Sequence, residues 1–201
     1  ITGFGRTGAM WGAQTFGIRP DILTVAKGLS SGYVPIGASI VSDEVAATLA
    51  RGGEFTHGYT YSGHPVACAV ALENLRILED EALVARVADR MGPYLAAAWA
   101  GLADHPLVGA AETCGLMGAL ALSPDRARRA PFAAPAGTVG LRCREACFAH
   151  DLIMRHVGDR MIIAPPLVIT EAEVDELIRR ARRALDDTLL GLEADGLMTA
   201  G

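Results

Sequence analysis

The chain has 201 residues, of which 51% are apolar and 20% are charged, and its formal net charge is −5. This composition excludes a disordered tail, and the acidic balance argues against nucleic acid as a partner. No stretch is long and apolar enough to cross a membrane, and the four cysteines follow no disulfide framework, so we predict a cytoplasmic protein with reduced thiols and no membrane partner.

The first 80 residues are predicted to combine two strands with two helices. Apolar β-branched runs predict the strands, and Pro65 in a first-turn position predicts the start of an alanine-rich helix. In chain order, the predicted elements are a glycine-rich loop over residues 1–17, a buried strand over 21–26, a strand over 36–41, a short helix over 43–50, a polar loop over 56–63 and a helix over 64–79.

The pattern of apolar residues changes beyond residue 80, so we predict two domains, residues 1–80 and residues 81–201. The last helix has the clearest start signal, because Thr170 and Glu173 have the spacing of a capping box. The elements predicted for the second part are a helix over 81–102 with a kink at 92–93, two strands between 108 and 122, a loop over 123–136, a helix over 137–150, a strand pair over 151–155 and 160–163, and a final helix from residue 170.

Lys27 is the only lysine among 18 basic residues; all the others are arginine. Both residue types serve as surface cations, but only lysine can lose its proton and become a nucleophile. Lys27 follows the predicted buried strand and precedes a Gly-Ser loop, and ligands of α/β sheets gather at the carboxyl ends of strands. We therefore expect a partly desolvated amine suited to Schiff-base chemistry; the alternative is a lysine that caps a strand end in solvent.

Three separate motifs resemble those of class III aminotransferases, which are pyridoxal-phosphate (PLP) enzymes of fold type I. They occur in the family's order: ITGFGRTG at residues 1–8, PDILTVAKGLSSG at 20–32 and HGYTYSGHP at 57–65. The resemblance covers essentially the whole chain as the family's C-terminal half. It implies an α/β fold, incomplete at the N-terminus, in which residues 1–80 finish the PLP-binding large domain and residues 81–201 form the C-terminal α+β small domain.

The resemblance also implies roles for four residues. Lys27 would form the Schiff base with PLP and then shuttle a proton to and from the substrate carbon. Thr60 would bind the PLP phosphate of the neighbouring subunit, which implies a homodimer with a shared cofactor site. Tyr59 would lie near the cofactor and line the substrate pocket, and Arg155 would pair with a substrate carboxylate.

The implied reaction moves an amino group from a primary amine or ω-amino acid, such as taurine, putrescine or β-alanine, to a keto acid such as pyruvate. Within the family, the sequence at 62–65 together with Arg155 resembles the amine type more than the acetylornithine type. Two alternatives stay open: a decarboxylase or aminomutase of the same fold, and a truncated relative without catalysis. The family's pyridinium-pairing aspartate would precede Ile1, so we expect the 201 residues alone to be inactive and to fold poorly.

Other candidates are better explained by packing. Cys143 and Cys147 lie four residues apart on a predicted helix with His150 nearby, but no fourth ligand is placed, so we predict core packing and no metal. His57 and His64 flank the Thr60 loop, where loop packing and helix entry explain them. One local departure from the family is the sequence at 112–115, where relatives usually carry an Arg-Gly pair.

Overall fold

A computed structural model describes residues 1–198, and the chain divides into two units, Ile1–Arg86 and a second that begins at Val87. Each unit has its own sheet. The division falls inside the segment predicted as a single helix over 81–102. The assignment of residues 1–80 to a large domain and 81–201 to a small domain stays a prediction.

The first unit is built on a two-stranded antiparallel ribbon, β1 (Ile22–Ala26) and β2 (Gly37–Val41), in which Ile22 pairs with Val41 and Ala26 with Gly37. Four helices accompany it: α1 (Gly12–Thr15), α2 (Asp43–Arg51), α3 (Pro65–Asp80) and α4 (Leu83–Arg86). The Ser42 hydroxyl accepts a hydrogen bond from the Val45 N–H and caps α2. These bounds agree with the predicted strands and longer helices to within a few residues.

Two expectations for this unit are wrong. Residues 1–17 are not all loop, because α1 forms over four of them. The predicted buried strand is not buried: β1 alternates between exposed and half-buried residues, and Ile22 is 57% exposed. A two-stranded ribbon covers β1 along one edge only, so its faces meet few other groups. The apolar side chains that are buried in this unit lie elsewhere: Phe4, Ala71, Leu78 and Leu83.

The second unit has a four-stranded antiparallel sheet in the order β3-β4-β6-β5. The strands are β3 (Val108–Cys114), β4 (Met117–Leu122), β5 (Arg155–Val157) and β6 (Arg160–Ile163), and the helices are α5 (Gly92–Ala100), α6 (Thr138–Ala149) and α7 (Glu171–Ala194). Trp99 is fully buried in the core, and its indole N–H donates to the Ala119 carbonyl oxygen at 3.2 Å. The capping box of α7 is confirmed, because Thr170 and Glu173 bond each other's backbone N–H.

The segment over 81–102, which was predicted as one helix with a kink, is divided into separate helices. A π-turn over Val87–Met91 separates α4 from α5, and a 3-10 turn over 101–104 follows α5. Pro93 lacks the N–H that a continuous helix would bond, and a proline ring clashes with the carbonyl four residues earlier. Widening the preceding turn relieves that clash, which is the usual setting of a π-bulge.

The predicted strand over 151–155 is also wrong in its first four residues. Asp151 has a φ of 53°, and its N–H donates to the Phe148 carbonyl oxygen as part of the turn that ends α6. A left-handed residue cannot continue a strand, so β5 begins only at Arg155. Among the described residues, no helix combines the length and the apolar character needed to span a bilayer.

His105 is a buried polar residue in the connection before β3. Its Nδ1 accepts a hydrogen bond from the Leu107 N–H at 3.1 Å, which leaves the ring proton on Nε2, 3.2 Å from the Asp186 carboxylate. Burial lowers the pKa of His105, and the attraction of Asp186 opposes that shift without cancelling it. A second proton would occupy Nδ1 and break the bond to Leu107.

We expect acidification to destabilise the protein through His105. Because the folded-state pKa lies below the unfolded value of about 6.5, this contribution is present above that pH and is lost as the pH falls below it. Denaturant unfolding at about pH 7.5 and about pH 5.5 measures how much unfolding free energy is lost on acidification. This loss should be smaller for His105→Asn than for the parent, because asparagine offers the Leu107 N–H an acceptor that does not titrate. An equal loss in both proteins would contradict the assignment.

Candidate active site

Lys27 leaves the end of β1 in an unusual backbone conformation. Strand β1 ends at Ala26, and Lys27 begins a 3-10 turn over 27–29 with a φ of 54°, in the left-handed region. Its side chain is exposed in this chain, where the faces of the β1–β2 ribbon are open; the partly desolvated amine expected for the complete protein stays a prediction. Within residues 1–198 its amine has neither a hydrogen bond nor an ion pair, so it is free to react.

The turn after Lys27 is held by several contacts. The Ser30 N–H donates to the Lys27 carbonyl oxygen at 3.2 Å, and the Ser30 hydroxyl donates to the Val34 carbonyl oxygen at 2.7 Å. Ser30 is 2% exposed, so these bonds are shielded from water. Gly28 lies against Phe4, and a Cβ at position 28 would approach that ring to 3.0 Å. The backbone around Lys27 is therefore fixed on more than one side.

Sequence reasoning missed Asn74 of α3, which also contacts this turn. Its amide nitrogen donates to the Gly28 and Leu29 carbonyl oxygens at 2.8 and 3.1 Å. A signal was available, because Asn74 lies three residues after Ala71 and four before Leu78, both buried, so a polar side chain interrupts the buried stripe of α3.

Tyr59 and Thr60 lie in the loop before α3. The Tyr59 N–H donates to the Ser62 hydroxyl oxygen at 3.1 Å, and the Ser62 N–H donates to the Tyr59 carbonyl oxygen at 2.9 Å, so the loop closes into a tight turn with Thr60 at its tip. Tyr59 is 78% exposed and packs edge-on against His57 with ring centroids 5.3 Å apart. His64 is the residue that precedes α3. The packing interpretation of the two histidines stays a prediction.

A cavity of about 650 Å³ lies between this loop and the segment that enters β2. Tyr59, Tyr61 and Ser62 form part of its wall, and Val34 and Ile36 supply apolar surface. Lys27 and Thr60 do not line it. The structure therefore places Tyr59 at a cavity wall, while Lys27 and Thr60 are exposed and are not part of that wall.

Arg155 belongs to the second unit, at the start of β5. It lines a cavity of about 400 Å³ with Phe148, Ile153 and His156. Its guanidinium has no hydrogen-bond or ion-pair partner among the described residues. A planar, unpaired guanidinium at a cavity wall can take a carboxylate through two parallel hydrogen bonds.

Cys143 and Cys147 pack in the core, as predicted. The hydrogen bond between the two thiols raises the pKa of Cys147 and lowers that of Cys143. His150 bonds the Asp187 carboxylate at 2.7 Å. In the part of the chain that the structure describes, no three His, Cys, Asp or Glu residues are grouped so that they could hold a metal ion.

Comparison with known proteins identifies the family. The profile described as aminotransferase class-III matches residues 1–185, and the chain belongs to this family. The predicted family is thereby confirmed, and so is the α/β fold of fold type I, since the solved structures that match include omega transaminases.

The matching relatives are longer than this chain. Putrescine–pyruvate aminotransferase of Pseudomonas aeruginosa is 53% identical over 188 residues, which cover 94% of this chain and 41% of that protein. Diaminobutyrate–2-oxoglutarate transaminase of Halomonas elongata is 43% identical and is covered to 44%. The omega transaminase of Pseudomonas jessenii in complex with PMP matches with a TM-score of 0.87 and 46% identity, over 95% of this chain and 43% of that one. The chain thus spans about two fifths of these relatives' length.

Proposed function

We propose that the protein transfers an amino group from a primary amine or ω-amino acid to a keto acid such as pyruvate, with PLP as its cofactor. The observation that carries the proposal is the single lysine of the chain, whose amine is exposed at the end of β1 and has no partner among residues 1–198. The 53% identity to a putrescine–pyruvate aminotransferase supports the choice of an amine donor and pyruvate as acceptor.

The residues present fit this cofactor. An unpaired primary amine can bind an aldehyde, and the exposed Thr60 hydroxyl at the tip of a glycine-flanked turn can donate to a phosphate oxygen. When bound, PLP supplies the aldehyde that takes up the amino group and a ring that withdraws electrons from the substrate carbon.

In the proposed mechanism, the chain's own residues bind, orient and move a proton. Lys27 Nζ would hold the cofactor through its aldehyde and, as a free amine, would move a proton to and from the substrate carbon. Arg155 pairs with the carboxylate of the keto acid, and Tyr59 borders the substrate. Thr60 holds the phosphate of the partner subunit's cofactor in a homodimer.

The reaction is tested by following putrescine, β-alanine and taurine with pyruvate in the complete protein. We expect pyruvate to be consumed in a one-to-one ratio with the amine, without release of CO2. Release of CO2 would indicate the decarboxylating alternative, and isomerisation of the amine without pyruvate consumption would indicate an aminomutase. Absence of turnover with every amine, despite cofactor attached at Lys27, would favour a relative without catalysis.

Removing the Thr60 hydroxyl should weaken cofactor binding. A hydrogen bond to a charged group contributes about 1.5–3 kcal/mol, so Thr60→Val should raise the Kd for PLP by about 10- to 100-fold. Equilibrium dialysis of the complete protein against PLP measures this. Thr60→Ser keeps the hydroxyl and should bind nearly as well as the parent; a parent-like Kd for Thr60→Val, with weakening by Thr60→Ser alone, would show that the methyl group, not the hydroxyl, matters.

A further inference from the structure

The side-chain amide of Asn74 is engaged almost completely by the turn that follows Lys27. Its Nδ2 donates both hydrogens, to the carbonyl oxygens of Gly28 and Leu29, and its Oδ1 accepts a hydrogen bond from the Ser31 hydroxyl at 2.5 Å. Asn74 is half-buried on the inward stripe of α3, while these partners lie 43 to 46 residues earlier in the chain. A single side chain therefore joins the helix to the turn at three points.

The turn needs such support because its backbone is strained. Lys27 has a φ of 54° and Ser31 has a φ of 49°, in a region that is strained for residues other than glycine. A free peptide would relax toward an extended conformation. The two N–H donors of Asn74 bond the Gly28 and Leu29 carbonyl oxygens. These carbonyls lie between the two strained residues, so the bonds oppose that relaxation.

We propose that Asn74 is a positioning residue that fixes the direction in which the Lys27 side chain leaves β1. The inference rests on the proposed function of Lys27, since the direction of that amine matters only if it reacts. A change at the Lys27 backbone is amplified along four methylene groups, and misplacement of a reacting atom by about 1 Å can cost about 100-fold in rate.

Asparagine is suited to this position by its chemistry. It offers two donors and an acceptor without a charge, so its hold on the turn does not change with pH. Aspartate has nearly the same shape but has no donors when ionised, and it would face the Gly28 and Leu29 carbonyl oxygens with a negative charge. The Asn74→Asp substitution therefore removes the two donors while keeping the acceptor for Ser31.

The test measures backbone protection and kinetics in the complete protein. In the cofactor-free form, Asn74→Asp and Asn74→Ala should speed hydrogen exchange at the Ser30 N–H, which bonds the Lys27 carbonyl oxygen, by at least about tenfold. In the PLP-loaded form, kcat should fall by about 10- to 100-fold while the KM for the amine stays nearly constant. Ser31→Ala, which keeps both donors, should have a much smaller effect on exchange.

Glu73→Gln is the matched control, because Glu73 is the preceding residue of α3, is exposed and, within the described part of the chain, bonds Arg76 of the same helix alone. It should leave exchange at Ser30 and kcat unchanged. Parent-like exchange at Ser30 in Asn74→Asp and Asn74→Ala would overturn the proposal, and so would a loss of protection spread through α3 and β1, which would mean that Asn74 is merely structural. If borohydride reduction attaches no cofactor to Lys27 in the parent, the proposed function fails, whereas the exchange at Ser30 still reports on Asn74.

Discussion

Substitution of Lys27 by arginine is expected to lower kcat for amine-to-pyruvate transfer by at least about 1,000-fold in the complete protein. Arginine keeps the positive charge at the end of β1 and has a similar length, but its guanidinium stays protonated and can neither bind the aldehyde nor accept the substrate proton. Initial rates with putrescine and pyruvate measure the loss. Mass spectrometry after borohydride reduction should find cofactor on the tryptic peptide of Lys27 in the parent and none in Lys27→Arg.

A double substitution tests whether the amine must be at position 27 or whether any lysine in the chain is enough. Arg19 is exposed and precedes β1, so Lys27→Arg combined with Arg19→Lys keeps one lysine in the chain and moves it away from the strand end. This double variant should remain as inactive as Lys27→Arg. Recovered activity, or a borohydride adduct on the new lysine, would contradict the assignment of Lys27.

The second large effect is expected at Gly140, in the first turn of α6. A Cβ at this position would collide with the Gly158 carbonyl oxygen and come within 3.2 Å of the Asp159 Cα, and both obstacles are backbone atoms that cannot rotate away. Because the two backbone segments lie this close, the Asp159 carboxylate accepts hydrogen bonds from the N–H groups of Gly140, at 2.9 Å, and Gly137, at 3.2 Å. We expect Gly140→Ala to lower the free energy of unfolding by about 3 kcal/mol.

Gly101 supplies the matched control within the same unit. Nothing lies within 4 Å of a Cβ at this position, and its φ of −63° suits any residue. Gly101→Ala should therefore change the free energy of unfolding by no more than about 1 kcal/mol, in the stabilising direction. Denaturant unfolding of both variants measures the difference. Equal stability of the two variants would mean that the β5–β6 turn moves away from α6 at little cost.

Local signals in the sequence were sufficient for most of the elements. The capping box at Thr170 predicts the start of α7 to the residue, because both of its hydrogen bonds lie within four consecutive residues. Pro65 marks the start of α3 in the same way. Cys143 and Cys147 lie on one face of α6, and their helical spacing predicted that both would be buried.

Burial in the first unit could not be predicted from the sequence. The apolar run at 21–26 predicts a buried strand. Composition shows which side chains could be buried, but it does not show which other elements pack over them. The observed ribbon pairs β1 with β2 alone and leaves Ile22 and Lys27 exposed. The desolvation of the Lys27 amine was inferred from the same run and stays a prediction for the complete protein, because this chain spans about two fifths of its relatives' length.

Motifs and periodicities along short stretches of chain were enough to identify the family, to single out Lys27 as the candidate reactive amine and to locate the main helices and strands. The contacts of Asn74 with the turn after Lys27, and of Asp159 with the start of α6, became visible only in the folded chain. Both contacts join side chains to backbone groups about 20 to 46 residues away. A local pattern can mark Asn74 as a polar residue on the inward stripe of α3, but it does not identify its partner, because the bond exists only after separate elements have packed against each other.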